Sequence, residues 1–242
     1  MTKRRQTTIG LTLAAAILVG WLVLHLYSVF VHPLTGAGLA VSPLLVLALT
    51  WLNVGLFIVA HDCMHGSLAP GRPGVNRAVG RTMLALYAGF SFDKLLPKHH
   101  DHHKHAGTAG DPDFAEDHPR AFWPWYLTFF RRYFGPREFL ILAALLTIYL
   151  LVLRVSPANA LLLWGVPAIL SSLQLFYFGT YLPHRHDEQA FTDRHRTRSN
   201  DYGWLASLLT CYHFGYHHEH HRSPATPWWK LPTVRAEGRR SS

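Results

Sequence analysis

Two cysteines among 242 residues exclude a disulfide framework, and neither belongs to a CxxC pair or a cluster-binding cysteine run. Charge is also scarce. Asp, Glu, Lys and Arg make up 15% of the chain, against roughly 25% in soluble domains, while 49% is apolar. That deficit argues against an ordinary soluble surface and for a membrane protein. No GxGxxG turn follows a strand-like run, so no dinucleotide cofactor is implied, and no HExxH marks a zinc protease. Internal repeats are absent.

Long apolar runs fill the space these absences leave. Lys3, Arg4 and Arg5 precede the first, residues 9–31, which is too long for a signal-peptide core and has no cleavage site after it. At about 1.5 Å per residue it reaches across a hydrocarbon core of about 30 Å. Further spans are predicted at 39–60, 139–155 and 158–182, the last carrying Pro167, which membrane helices tolerate. Residues 79–92 are apolar but contain Arg81 and run into Asp93 and Lys94, so they read as an interfacial helix. His25 reads as a histidine near the far interface. With the N-terminus inside, 22 of the 23 Lys and Arg fall on the cytoplasmic side and only Arg154 does not. The same asymmetry accounts for the net charge of +9 without nucleic acid. The aromatic run 122–130 and Pro227-Trp-Trp read as headgroup anchors, and residues 235–242 as a disordered tail.

Eighteen histidines are present, and they are grouped: HDCMH at 61–65, HHDHH at 99–103 and HHEHH at 217–221. Residues i, i+3 and i+4 share one face of a helix, so each group aims two or three imidazoles at one point. Imidazoles gathered at helix ends would be costly to bury unpaired or protonated, and a bound cation removes that cost. A structural zinc site needs four ligands. This chain offers more than twice that, enough for two metals with open positions. Ligand type alone leaves iron, copper, nickel and zinc open.

HxxxH, HxxHH and HxxHH beside four spans resemble the membrane fatty-acid desaturase and hydroxylase superfamily. HDCMHG at 61–66, PGRPGVN at 70–76, GDPDF at 110–114, LPHR at 182–185 and HHEHHRSP at 217–224 with PWW at 227–229 are similar to the bacterial β-carotene ketolases over residues 51–232. The resemblance implies an all-α membrane protein with four transmembrane helices and a cytoplasmic helical cap, 61–138 and 183–234, in one domain over 1–242. It implies a di-iron site held by His61, His65, His99, His102, His103, His184, His217, His220 and His221. The doubled histidines leave the register open, with His100, His186, His213 and His218 as alternative or additional ligands. Asp62, Asp101, Asp111, Asp113 and Glu219 are expected to accept imidazole N–H groups behind the ligands.

What the resemblance implies chemically is oxygenation. Two iron ions with O2 would oxidise C4 of a β-ionone ring twice, and loss of water would leave a ketone, taking β-carotene through echinenone to canthaxanthin. A carotenoid hydroxylase or a fatty-acyl desaturase or hydroxylase with the same core is the alternative. Electrons would come from a ferredoxin-like donor with its reductase, the substrate from the bilayer. The expected location is the inner membrane, with both termini and the histidines on the cytoplasmic side.

Overall fold

The computed structural model describes residues 1–187 and 190–241, so residues 188, 189 and 242 of the expected domain lie outside the described residues. Every regular element among the described residues is helical. Three helices are long and apolar enough to cross a membrane: α1 (Lys3–Phe30), α2 (Gly36–Met64) and α7 (Pro157–His184). The third expected span, 139–155, falls largely within one helix that passes as a span only together with the helix before it. It is the second arm of a pair, α5 (Phe122–Tyr133) and α6 (Pro136–Val152), bent by 81°. Gly135 and Pro136 make that corner, with the Gly135 N–H capped by Glu138 at 3.1 Å. Of the predicted segment 79–92, residues 79–88 fall in α3 (Pro73–Ala88), a short amphipathic helix ending on Gly89 at φ +68°.

The long helices alternate in direction. Near its start α1 meets the end of α2: Gln6 Nε2 donates to Ser67 O at 2.7 Å. At the other end, Asn159 at the start of α7 donates to Ser28 O at 3.1 Å and His32 O at 2.8 Å, satisfying carbonyls at the end of α1. Lipid-facing positions on these helices are large and apolar, for example Leu140, Leu151 and Leu161. Apolar side chains cost nothing against lipid tails, so packing and internal hydrogen bonds have to hold the helices together. Trp21 Nε1 to Asn53 Oδ1, 2.7 Å and buried between α1 and α2, is one such tie.

α6 and α7 contain three π-helical turns: Ile148–Val152, Leu161–Gly165 and Tyr177–Tyr181. Pro167 and Pro183 follow the last two within two residues. A proline lacks the donor for the normal ladder, and the widened turn absorbs the interruption.

The remaining helices are α4 (Phe92–His105), α8 (Trp204–Cys211), α9 (His217–Arg222) and α10 (Leu231–Ser241). The last overturns the expected disordered tail. Arg235 pairs with Glu219 at 2.7 Å and Asp201 at 2.6 Å, which gives the segment a surface to order against. The Pro227-Trp-Trp anchor is also corrected, because Trp228 is buried in the main core.

Candidate metal centre

All three histidine boxes lie on helices: the first on the last turn of α2, the second on α4, the third on α9. α2 does not stop at residue 60, because nothing in 60–64 breaks a helix, and it carries His61 inward before ending at His65. The third box is far away in sequence and has to be brought to α2. Two contacts do this. The Trp228 N–H donates to the Asp62 carboxylate at 3.2 Å. Tyr212 stacks on Trp51 and lies so close to α2 that a Cβ on Gly55 would be 2.5 Å from its hydroxyl. Only glycine permits that approach.

The nine imidazoles assemble as two adjacent groups. His61, His65, His99, His103 and His220 form one, and His102, His184, His217 and His221 the other, each with its ligand atoms within 4.8 Å of one another. In the second and third boxes the i and i+4 residues serve one group while the i+3 residue crosses to the other. His99 and His103 therefore join His220, and His217 and His221 join His102. Where the groups meet, the rings of His103 and His221 stack at 4.1 Å.

Within each group the Nε2 atoms converge. His65 and His99 stand 2.7 Å apart, His103 and His220 3.0 Å, His184 and His217 3.0 Å, and His217 and His221 3.1 Å. Donors bound to one transition metal at about 2.0–2.1 Å sit about 3 Å apart when their bonds are perpendicular. Two outer nitrogens are fixed in the tautomer that frees Nε2. His102 Nδ1 donates to Asp111 Oδ1 at 2.9 Å, and His184 Nδ1 donates to Arg196 O at 3.0 Å. Both nitrogens of His61, and Nδ1 of His217 and His221, are buried without a hydrogen-bond partner. Buried imidazoles with converging lone pairs fit a pair of cations and are costly without them.

Electrostatics agree. Outside the spans, burial pushes His99, His217, His220 and His221 well below the usual histidine range, and neighbouring imidazoles push further the same way. They are neutral at pH 7, the form that binds metal. For His102 burial also pulls down, but the Asp113 and Asp111 carboxylates outweigh it and raise its pKa. Asp111 is lowered despite burial because His102 faces it.

The other predicted positions belong to neither group. His100 is exposed. His218 pairs with Asp193 at 2.8 Å, His186 stacks on Phe114, and His213 packs among Trp204, Tyr216 and Trp228. Asp111 stands behind a histidine as expected, and Asp113 is 3.6 Å from His102 while accepting from the Tyr133 hydroxyl. Asp62 and Glu219 do something else. Asp62 takes the Trp228 N–H, and Glu219 accepts from Ser199 and Arg235, so both hold the third box to its surroundings. Asp101 is exposed. The Arg196 carbonyl had no sequence signal, since any residue supplies one. Tyr133 was hidden in a run of aromatics that resembles an interfacial anchor.

An apolar cavity of about 660 Å³ opens onto both groups, with His61, His99, His102, His217 and Asp113 in its wall. The remainder of the wall is chiefly Phe, Leu and other apolar side chains from α2, α5, α6 and α7.

The profile of the fatty acid desaturase family matches residues 37–141 and 137–241. A β-carotene ketolase of Paracoccus sp. (strain PC1) is 51% identical over 98% of this chain and 96% of its own length. A second, from Paracoccus sp. (strain N81106 / MBIC 01143), is 48% identical over 98% and 97%. A zeaxanthin 4-ketolase of Chlamydomonas reinhardtii is 36% identical over 93% of this chain and 53% of its own length.

Proposed function

The chain belongs to the fatty acid desaturase family, within it to the group of the β-carotene ketolases, and we propose that it is a carotenoid 4-ketolase converting β-carotene through echinenone to canthaxanthin. One observation carries the reading: two histidine groups side by side at the end of a lipid-sized apolar cavity. A soluble substrate would gain little from that wall, whereas a β-ionone ring can be held against it with its C4 methylene toward the imidazoles. The nine histidines would hold two iron ions, which with O2 and external electrons supply the oxidation of the C4–H bonds.

The protein's part is to position and to protect. Asp111 and the Arg196 carbonyl keep protons on Nδ1 of His102 and His184, so that Nε2 stays available. Arg132 donates to Pro112 O and Phe114 O, which holds the Asp111–Phe114 loop behind His102. The apolar wall excludes bulk water from a ring poised for oxidation. C4 is allylic, so its C–H bonds are weaker than those of a saturated chain.

We read residues 1–242 as one desaturase-like unit in the inner membrane, with segments 61–138 and 183–234 capping the cytoplasmic ends of four spans. The support is the 22 of 23 Lys and Arg on that side. A ferredoxin-like donor with its reductase supplies the electrons, since the chain has no cysteine pattern for a cluster of its own.

Membranes containing the chain, supplied with β-carotene and a reducing system, test the reading. The expected products absorb to the red of the substrate, because a C4 ketone extends the conjugation, and the purified protein carries about two irons per chain. Products hydroxylated without a spectral shift make the protein a hydroxylase instead.

A further inference from the structure

The cavity is much deeper than one ring requires. On α7 its wall follows a single helical face, through Thr180, Leu175, Ala168, Trp164, Ala160 and Pro157. Pro157 and Thr180 are 23 residues apart in sequence, about 34 Å along a helix at about 1.5 Å per residue, comparable to the thickness of the hydrocarbon core. On α6 the wall includes Leu142, Leu146 and Leu150, again to the far end of the helix. The histidines occupy one end only.

The far end is built rather than left open. Trp164 packs on Tyr149 with ring centroids 5.0 Å apart. The Tyr149 hydroxyl and His25 Nε2 are hydrogen-bonded at 3.2 Å, and His25 stacks on Trp21 at 4.8 Å and 9°. Trp21 in turn donates to Asn53. Trp164 is thus braced through α6, α1 and α2. A second, independent feature marks the same place. All three π-helical turns among the described residues lie on α6 and α7, two of the helices that wall the cavity, and two of them sit at the far end: Ile148–Val152, and Leu161–Gly165, which carries Trp164. Such turns re-aim side chains and gather at functional sites.

We infer that the cavity is a full-length slot, in which a rod-shaped lipid lies along α7 with one end group at the histidines and the other on a floor made by Trp164, Ala160 and Pro157, so that a region a bilayer's depth from the reacting carbon selects the substrate. This rests on the carotenoid reading above. A carotenoid is a stiff rod about as long as the hydrocarbon core is thick, about 30 Å, and its second ring would reach the floor when the first is at the metal centre. The floor is specificity-determining and not catalytic.

The test compares two substrates on one preparation of the full chain in lipid vesicles with its electron supply. One is β-carotene. The other is an apocarotenoid that keeps a single β-ionone ring and ends in an aldehyde before the second. The ratio of their kcat/KM values does not depend on how much of a preparation is active. In the wild type the ratio favours β-carotene by about tenfold or more, the scale of discrimination an apolar pocket provides. Ala160→Phe, which fills the floor, and Trp164→Ala, which removes it, each pull the ratio down by about fivefold or more, with the change carried by KM. Equal kcat/KM for the two substrates in the wild type, or a wild-type ratio retained in both variants, overturns the inference. Ketone from both substrates with equal efficiency leaves the ketolase reading standing without the slot; no ketone from either removes the ketolase reading itself.

Discussion

The two histidine groups differ in what stands behind them. In the group of four all members are buried, and two have their outer nitrogen tied, His102 to Asp111 and His184 to the Arg196 carbonyl. In the group of five, His65, His99 and His103 are only half-buried, and His61 has no partner on either nitrogen. Two members of the first group, His102 and His184, are oriented by the protein before any ligand arrives. The other group has imidazoles that depend on the cation itself for orientation. Under the proposed two-metal reading, the group of four would be the more rigid half and the group of five the more adjustable one.

The largest expected effect comes from removing one imidazole from each half. His61→Ala and His221→Ala should each lower ketone formation by at least about a thousandfold while the protein still accumulates in the membrane, since an open or misaligned metal site loses most of its rate. Product analysis checks this, and full activity in either variant removes that residue from the ligand set. His220→Ala and His221→Ala sharpen the point. They are sequence neighbours that should strip iron from different halves, which Mössbauer or EPR spectra would separate.

Acidity probes the halves together. In the chelated protein, buried histidines such as His217, His220 and His221 have pKa values below the 6.5 of an unfolded chain. The unfolded state therefore takes up protons first, and their contribution to stability is intact above about pH 6.5 and lost as the pH falls below it. His102, raised by Asp113 and Asp111, acts in the opposite sense, but it is one group against many. Thermal unfolding of chelated protein should show a falling Tm from about pH 7 to pH 5.5, and a Tm that rises over this range would contradict the burial described here.

Asp111→Asn tests the rigid half alone. Removing a carboxylate behind a metal-binding histidine costs about tenfold to a hundredfold in metal affinity or activity, whereas Asp101→Asn, at an exposed position of α4 next to His102 in sequence, should stay within about twofold. Equal effects from the two would erase the distinction between the halves. The smallest changes belong to His100→Ala and His218→Ala, within about twofold of wild type, because neither residue belongs to a group.

Much of this was legible beforehand because membrane insertion and metal binding both write local patterns. An apolar run of bilayer length reads as a span from composition alone, and HxxHH brings three imidazoles to one helix face by the helical period. The misreadings have a common cause. Pro227-Trp-Trp has the composition of a headgroup anchor, yet Trp228 sits in the core with its N–H on Asp62, 166 residues away in sequence. Residues 235–242 have the polarity of a tail, but Arg235 finds Glu219 and Asp201 and orders a helix. Asp62 and Glu219 lie among the histidines in sequence and nevertheless turn to other partners.

By itself the sequence determined which histidines are grouped as candidate metal ligands and which segments are apolar enough to enter a bilayer, since both follow from patterns within a few helical turns. Only the tertiary structure decided which imidazole serves which half. A box of three histidines on one helix face looks like a single site, and the crossing of His102 and His220 arises because α4 and α9 approach each other beside α2. The depth of the cavity and its Trp164 floor were likewise invisible, because they exist only where α6 and α7 stand apart and leave a volume that no single segment encloses.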